Sequence, residues 1–448
     1  MIRTFTFMLA LAWAGSGSAQ TSLSLDQAIE HARTHNAQNK VRSLEQRASE
    51  KLLWQNIALG LPSVTAAGQY TDNIELPAQF FDINQDGIID KLQFGTRYTS
   101  LGNLSVNQLV FDGSYIVALL ATDVLRDQAS LNKEKTEIEV RQQTAQFYHL
   151  SVILAENEHV LTDNLKQATS TAAQMEAMAA EGLMEVENSD QVRLVARQLE
   201  AALGNVRQQR GVAEKMLLLT CGLPIDQNVV LTSSLGQLID GAVGGQGLHQ
   251  ARFEPEQHVD YRVLAAGRLG QSLLYKNDLV SFMPKVYAGY SLTQQFVSED
   301  ANVWDPNGIF ANNVVFQSWN VSAQFPLFTS GRRVFKAQES RLKVEQLDVL
   351  LEQTKTALTV KHIQAKSEFD NALTTYRLQV DNVALAKRLR DKTRIKFLEG
   401  VSSSLEYSQA ETQYQQTVAA MLSSANETLN KRIALENVLG MYNTTKPE

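Results

Sequence analysis

Between Pro62 and Gly113, and again between Pro284 and Gly331, apolar and polar residues alternate with a period of two. In "SWNVSAQFPLF", Trp319, Val321, Ala323, Phe325 and Leu327 fall on one face, and Asn320, Ser322 and Gln324 on the other. "NLSVNQLVFD" sets Leu104, Val106 and Val110 against Ser105 and Asn107. "SVTAAGQYT" and "KVYAGYSLTQQF" follow the same rule, broken by Gly68 and Gly289. The alternation predicts two strands in each stretch, four in all. At roughly 9 to 12 residues, one face apolar and one polar, they suit a membrane barrel with lipid outside and water inside. They suit half-buried strands of a soluble sandwich equally well.

Elsewhere the period lengthens to that of a helix. Ser114 to Glu181 is 68 residues without glycine or proline, and Arg332 to Glu399 is another 68. Both are rich in Ala, Leu, Glu, Gln, Lys and Arg, which lose little side-chain entropy in a helix. At 1.5 Å per residue each would extend about 100 Å. Phe369, Leu373, Tyr376, Val380 and Val383 step by four and three. Phe147, Leu150, Leu154, Leu161, Leu165, Ala168 and Ala172 keep that phase, with a polar break at Asn157 and Glu158. Such spacing keeps one seam against a partner helix.

The punctuation repeats. Gly113, Gly182 and Gly222 recur 218 positions later as Gly331, Gly400 and Gly440, and Pro62 recurs as Pro284. Each half therefore reads as a helix, two strands, a long helix, a glycine turn and a return helix. The opening helix of the first half starts at "SLDQ", where Ser24 and Gln27 have capping-box spacing. Its counterpart runs from about Asp260 to Ser281. The organisation expected is a leader at 1–19, a first repeat at 20–225, a connecting segment at 226–257, a second repeat at 258–442 and a tail at 443–448.

Charge and cysteine content narrow the class. The 448 residues carry 41 Lys plus Arg against 48 Asp plus Glu, so no basic stripe points to nucleic acid. "MIRTFTFMLALAWAGSGSAQ" has a basic start, a short apolar stretch and small residues at Gly17 and Ala19, which is the grammar of a cleaved secretory signal. No other apolar run is long enough for a membrane helix. Cys221 is the only cysteine, so no internal disulfide is available, and it reads as filler at a helix end. Four strands cannot close a membrane barrel, and open edges are not tolerated in lipid. If these strands span a membrane, several chains must share one barrel.

The leader, the duplicated order of elements, the very long helices and "LPSV" leading into a strand together resemble the TolC-like outer-membrane efflux family. "QLVFDGS" and "FPLFTSGR" are similar to its junction from second strand to long helix, and "HVDYRVLAAGRL" to the segment opening its second half. "EGLMEVENSDQVRLV" and "EGVSSSLEYSQAETQ" are similar to its periplasmic tip turns. The resemblance covers about residues 22 to 442. It implies a mainly α fold with a β-barrel portion: a homotrimer whose four strands per chain close one twelve-stranded barrel, continued by a coiled-coil helical tunnel into the periplasm. It implies a passive exit duct for efflux or type I secretion in the outer membrane. An inner-membrane RND or ABC pump powers it through a periplasmic adaptor protein.

The resemblance also assigns residues. Gly182, Leu183, Gly400 and Val401 become the tip turns that meet the adaptor. Acids ring the tip constriction in this family, and the sixth position past the second tip glycine is Glu406. Three residues on, where a further acid is usual, stands Gln409. Asn188 occupies the matching place in the first half, with Glu187 and Asp190 beside it. Three Glu406 side chains around one axis would favour cations, and the departure at Gln409 would lessen the charge.

Other chemistry is thin. There is no HExxH, GxSxG, P-loop or post-strand GxGxxG, so an enzyme is not expected. His31 and His35, one turn apart, read as an exposed pair and not as a metal site. "GAVGGQG" at 241–247 reads as a flexible connector. "FDINQDGIIDKLQFG" resembles a calcium loop: Asp82, Asn84 and Asp86 alternate, Gly87 follows and Asp90 stands ninth. Gln93 holds the twelfth place, where a bidentate Glu belongs, and an Asp/Asn-rich turn needs the same residues for its backbone. The loop is a candidate for calcium at the cell surface, and no other cofactor is expected. A soluble periplasmic coiled-coil scaffold and an exported calcium-binding adhesin are the competing functions.

Overall fold

The computed structural model describes residues 21–81, 87, 90–244, 252–299, 301 and 312–442. The leader, the tail and the loop residues Asp82, Asn84 and Asp86 lie outside this set. Contacts divide the chain into two compact units, each assembled from both repeats.

The unit comprising Gln46–Ala129 and Leu264–Leu350 holds the alternating strands. β2 (Ser63–Asp72), β5 (Tyr98–Phe111), β7 (Lys285–Ser298) and β8 (Asn312–Gln324) form one antiparallel sheet in that order. The two halves of the chain thus join at the central β5–β7 pair. Register gives the sheet two unlike faces. One row across all four strands is Val64, Val106, Tyr290 and Trp319, and the next is Thr65, Ser105, Ser291 and Ser318. The hydroxyl row is bonded internally, with Thr65 and Ser105 oxygens 2.7 Å apart. Asn103 adds bonds to Ser291 and Thr293 at 2.9 and 2.7 Å. On the other face Trp319 is 81% exposed, its ring centroid 4.9 Å from that of Tyr290. The second strand starts at Tyr98, after the chain turns through Gly95 with φ of 108°. A short hairpin, β3 (Ala78–Phe81) with β4 (Asp90–Gln93), stands in the first inter-strand loop and was not expected.

The second unit, Met1–Glu45, Ser130–Val263 and Leu351–Glu448, is helical. Its frame is α3 (Gly113–Ala180), α4 (Val186–Cys221), α7 (Arg332–Leu398) and α8 (Ser404–Val438), the long helices α3 and α7 lending only their later parts. α1 (Leu25–His35) and α5 (Leu235–Val243) also belong to this unit, whereas α2 (Ala37–Ala58) and α6 (Val259–Val280) begin in it and lie mostly in the strand-bearing unit. The expected capping box at Ser24 and Gln27 is present. Gly182, Gly222, Gly400 and Gly440 all hold positive φ, between 67° and 72°, so two of the three glycine pairs repeat in the backbone, whereas Gly331 holds φ of 77° and Gly113 opens its helix outside the positive-φ region. The polar break in the α3 seam has its own partners: Glu158 accepts from Arg207 and Arg210 of α4 at 2.8 and 2.9 Å.

The connecting segment is more ordered than a linker. β6 (Val229–Leu231) pairs in parallel with β1 (Thr21–Leu23), and α5 follows with its own capping box at Ser234 and Gln237. The buried Tyr148 hydroxyl donates to Leu23 O at 3.0 Å and accepts from the Ser233 amide, which ties these pieces to α3. Gly241–Val243, expected in a flexible stretch, close α5. Among the described residues, no helix is long and apolar enough to cross a membrane.

Candidate functional site: the helical tips

The two helix-to-helix turns have the same backbone. Leu183 N–H donates to Met178 O at 2.9 Å and Gly182 N–H to Ala179 O at 3.0 Å. Val401 N–H donates to Lys396 O at 2.8 Å and Gly400 N–H to Phe397 O at 3.0 Å. This nested pair is the Schellman motif, which needs a left-handed residue and so selects glycine. Each glycine is followed by an exposed apolar residue, Leu183 at 66% and Val401 at 74% exposure.

The tips are joined underneath. Met175, Val192, Phe397 and Tyr407 form one buried cluster, with the Phe397 and Tyr407 rings stacked 5.4 Å apart. Ser404 Oγ donates to Asn188 Oδ1 at 2.6 Å. Asn188, expected in the acidic constriction, is thus a clasp between the two turns. Glu187 lies in the first turn of α4, and Asp190 pairs with Arg193 at 2.5 Å on the exposed side.

Glu406 is exposed and its carboxylate is engaged. It accepts from Ser403 N–H at 3.2 Å and from the Ser402 hydroxyl, while Ser403 Oγ accepts from Glu406 N–H. The Ser402 bond, then the Ser403 bond, with the charge of Lys396 adding to them, hold its carboxyl below the usual range. Glu406 and Gln409 line one groove of about 1090 Å³ along α7 and α8. The structure therefore brings these two together and leaves Glu187 and Asp190 out of that groove.

Sequence reasoning missed a buried charge further up. Arg390 is 4% exposed. It donates to Asn164 Oδ1 at 3.1 Å, lies 3.7 Å from Glu411 and stacks over the Tyr414 ring at 4.4 Å. Burial holds the Glu411 carboxyl above its usual range. In "AKRLRDKTRIKFL" Arg390 reads as one member of a solvated basic run. Its phase was the available signal, since it shares a helix face with the buried Ala386 and Phe397.

His31 and His35 stack with ring centroids 4.2 Å apart, and His31 Nδ1 is 2.9 Å from Cys221 O. Cys221 is buried, and burial pushes its thiol up to about 11. That suits a helix-end filler and not a nucleophile. Among the described residues no group of three or more His, Cys, Asp or Glu side chains could hold a metal ion.

A two-faced antiparallel sheet joined in sequence to duplicated helices of nearly seventy residues is the fold of outer-membrane channels. VceC of Vibrio cholerae is 15% identical over 93% of this chain and 96% of its own, with a TM-score of 0.69. CusC is 15% identical over 96% and 95%, with a TM-score of 0.69, and the open-state MtrE of Neisseria gonorrhoeae is 14% identical over 93% and 88%, with a TM-score of 0.69. At these identities the likeness is one of fold. No curated protein matches the chain in sequence. Residues 279–441 match the model of the outer membrane efflux protein family.

Proposed function

We propose that three copies of this chain form an outer-membrane exit duct for an efflux or secretion system. The duct is passive, and an inner-membrane pump drives transport through a periplasmic adaptor. The observation that carries this reading is the sheet. Among the described residues its edges, β2 and β8, pair with no further strand, and the four strands alternate in direction. Head-to-tail copies therefore pair β8 with the next β2 in antiparallel register, and a closed ring leaves no edge in lipid. The Val64–Val106–Tyr290–Trp319 side then meets acyl chains and the hydroxyl side meets water. Leu183 and Val401 supply the apolar contacts for the adaptor, and Glu406 and Gln409 line the constriction.

The test is fractionation with detergent extraction. A heat-modifiable trimer in the outer membrane supports the reading, and Val321→Arg, costing about 2 to 4 kcal/mol near the bilayer midplane, should reduce insertion. Normal trimer yield and insertion with arginine at Val321 and, separately, at Ala323 would overturn the barrel. A monomer in the soluble periplasmic fraction would favour a scaffold.

A further inference from the structure

One acid and one base face the groove along α7 and α8. The acid is Glu406 and the base is Lys396, in the last turn of α7. Much of the remaining polar lining is carboxamide: Gln379, Asn382, Gln409, Gln413 and Gln416. The Glu406 carboxylate is turned back onto its own helix start by Ser402 and Ser403, and Lys396 contributes favourably to its charge. One fixed acid and one base on the same groove wall give that wall no net charge. The field of such a pair fades within about a Debye length, roughly 8 Å at physiological salt. Carboxamides offer donors and acceptors equally and select no sign of charge.

We infer that this groove is a charge-compensated, carboxamide-lined passage, so the duct passes uncharged and zwitterionic polar solutes and is not plugged by multivalent cations. Lys396 is the residue that sets this selectivity, by cancelling Glu406. The inference rests on the duct reading, in which the groove faces the lumen.

The chain supplies its own control. Gln27 and Gln237 fill the third position of two other capping boxes, so Glu406→Gln removes charge and keeps the box. The experiment uses the full-length protein in planar bilayers under a potassium chloride gradient, with lanthanum as the multivalent probe. The wild type should show a cation-to-anion permeability ratio within about twofold of one, as expected of a pore without net lining charge, and no block. Lys396→Gln should raise that ratio severalfold and introduce block, Glu406→Gln should shift it below one, and the double variant should return it to near one. Gln409→Asp should create the strongest block of the set.

Strong cation selectivity or lanthanum block in the wild type would overturn the inference. So would a silent Lys396→Gln beside a Glu406→Gln that abolishes selectivity. A conducting trimer with either result leaves the duct reading standing. A chain that forms no trimer and no conductance brings down the duct reading and this inference with it.

Discussion

The two tips of this molecule share a turn and differ in how the next helix begins. Both end a long helix on a Schellman motif at glycine, with φ of 71° at Gly182 and 72° at Gly400. After Gly400, Ser403 and Glu406 build a complete capping box. After Gly182 the corresponding N-cap is Glu185, which makes no side-chain cap bond. One return helix therefore starts from a closed side-chain circuit, and the other has at its start the backbone bond from Asn188 N–H to Glu185 O at 3.2 Å and no side-chain cap. The duplication preserved the part of the turn that backbone sterics dictate. Side chains at the helix start diverged, so the second tip is the more firmly held.

The largest way to break this comparison is to remove what the tips share. Tyr407→Ala deletes a ring that is 1% exposed and stacked on Phe397, and should cost about 3 to 5 kcal/mol of local stability. Hydrogen exchange at both tips should rise together. Val186→Ala, at a 61% exposed position, should change exchange by under about 0.5 kcal/mol. Opening confined to α8 in the Tyr407 variant would show that the tips are not coupled.

Gly182→Val and Gly400→Val come next. Nothing lies near the Cβ that either substitution would add, so the cost is the left-handed backbone alone, about 1 to 2 kcal/mol, and equal at both. Adaptor pull-down should weaken while outer-membrane insertion stays normal. Lost insertion with docking intact would place these turns elsewhere than at the adaptor.

The capping difference sharpens the comparison further. Ser403→Ala should cost about 1 kcal/mol, and Glu185→Ser should gain a similar amount by giving the first tip the cap it lacks. Amide exchange in the first turns of α4 and α8 reads both changes.

The smallest expected effect is one of pH. The Glu406 carboxyl is held below its ordinary value, so its contribution is fully present above that value and fades as pH falls through the lowered one. Exchange near Ser403, corrected for intrinsic rates, should accelerate on acidification in the wild type and not in Glu406→Gln. The first tip should show no counterpart.

Much of this architecture was legible because it is written locally. Positive φ at Gly182, Gly222, Gly400 and Gly440 is a property of single residues, and so the repeat could be read from spacing. Alternation along β8 likewise marks a strand without knowledge of its neighbours. What could not be read was pairing at a distance. The join of β5 to β7, the parallel β1–β6 pair and the Tyr148 hydroxyl that secures it each depend on residues far apart in the chain. The tip was half legible. Glu406 and Gln409, paired by spacing, line one groove, whereas the bond from Ser404 to Asn188 joins distant residues, and Lys396 was hidden in a basic run whose members differ only in helical phase.

The free edges of β2 and β8 have a kinetic consequence. A lone chain that entered the bilayer would carry two rows of unpaired amides and carbonyls, each costing several kcal/mol in hydrocarbon. On the proposed shared barrel, insertion and association are therefore one event, and a single copy has no stable halfway state in lipid. Maturation should be of higher than first order in chain concentration, so that halving expression lowers the yield of inserted protein by well over half. The same edges make any surplus chain a template for indefinite strand addition. If the barrel is shared as proposed, a cell making this protein must either deliver copies together or destroy the unmatched ones.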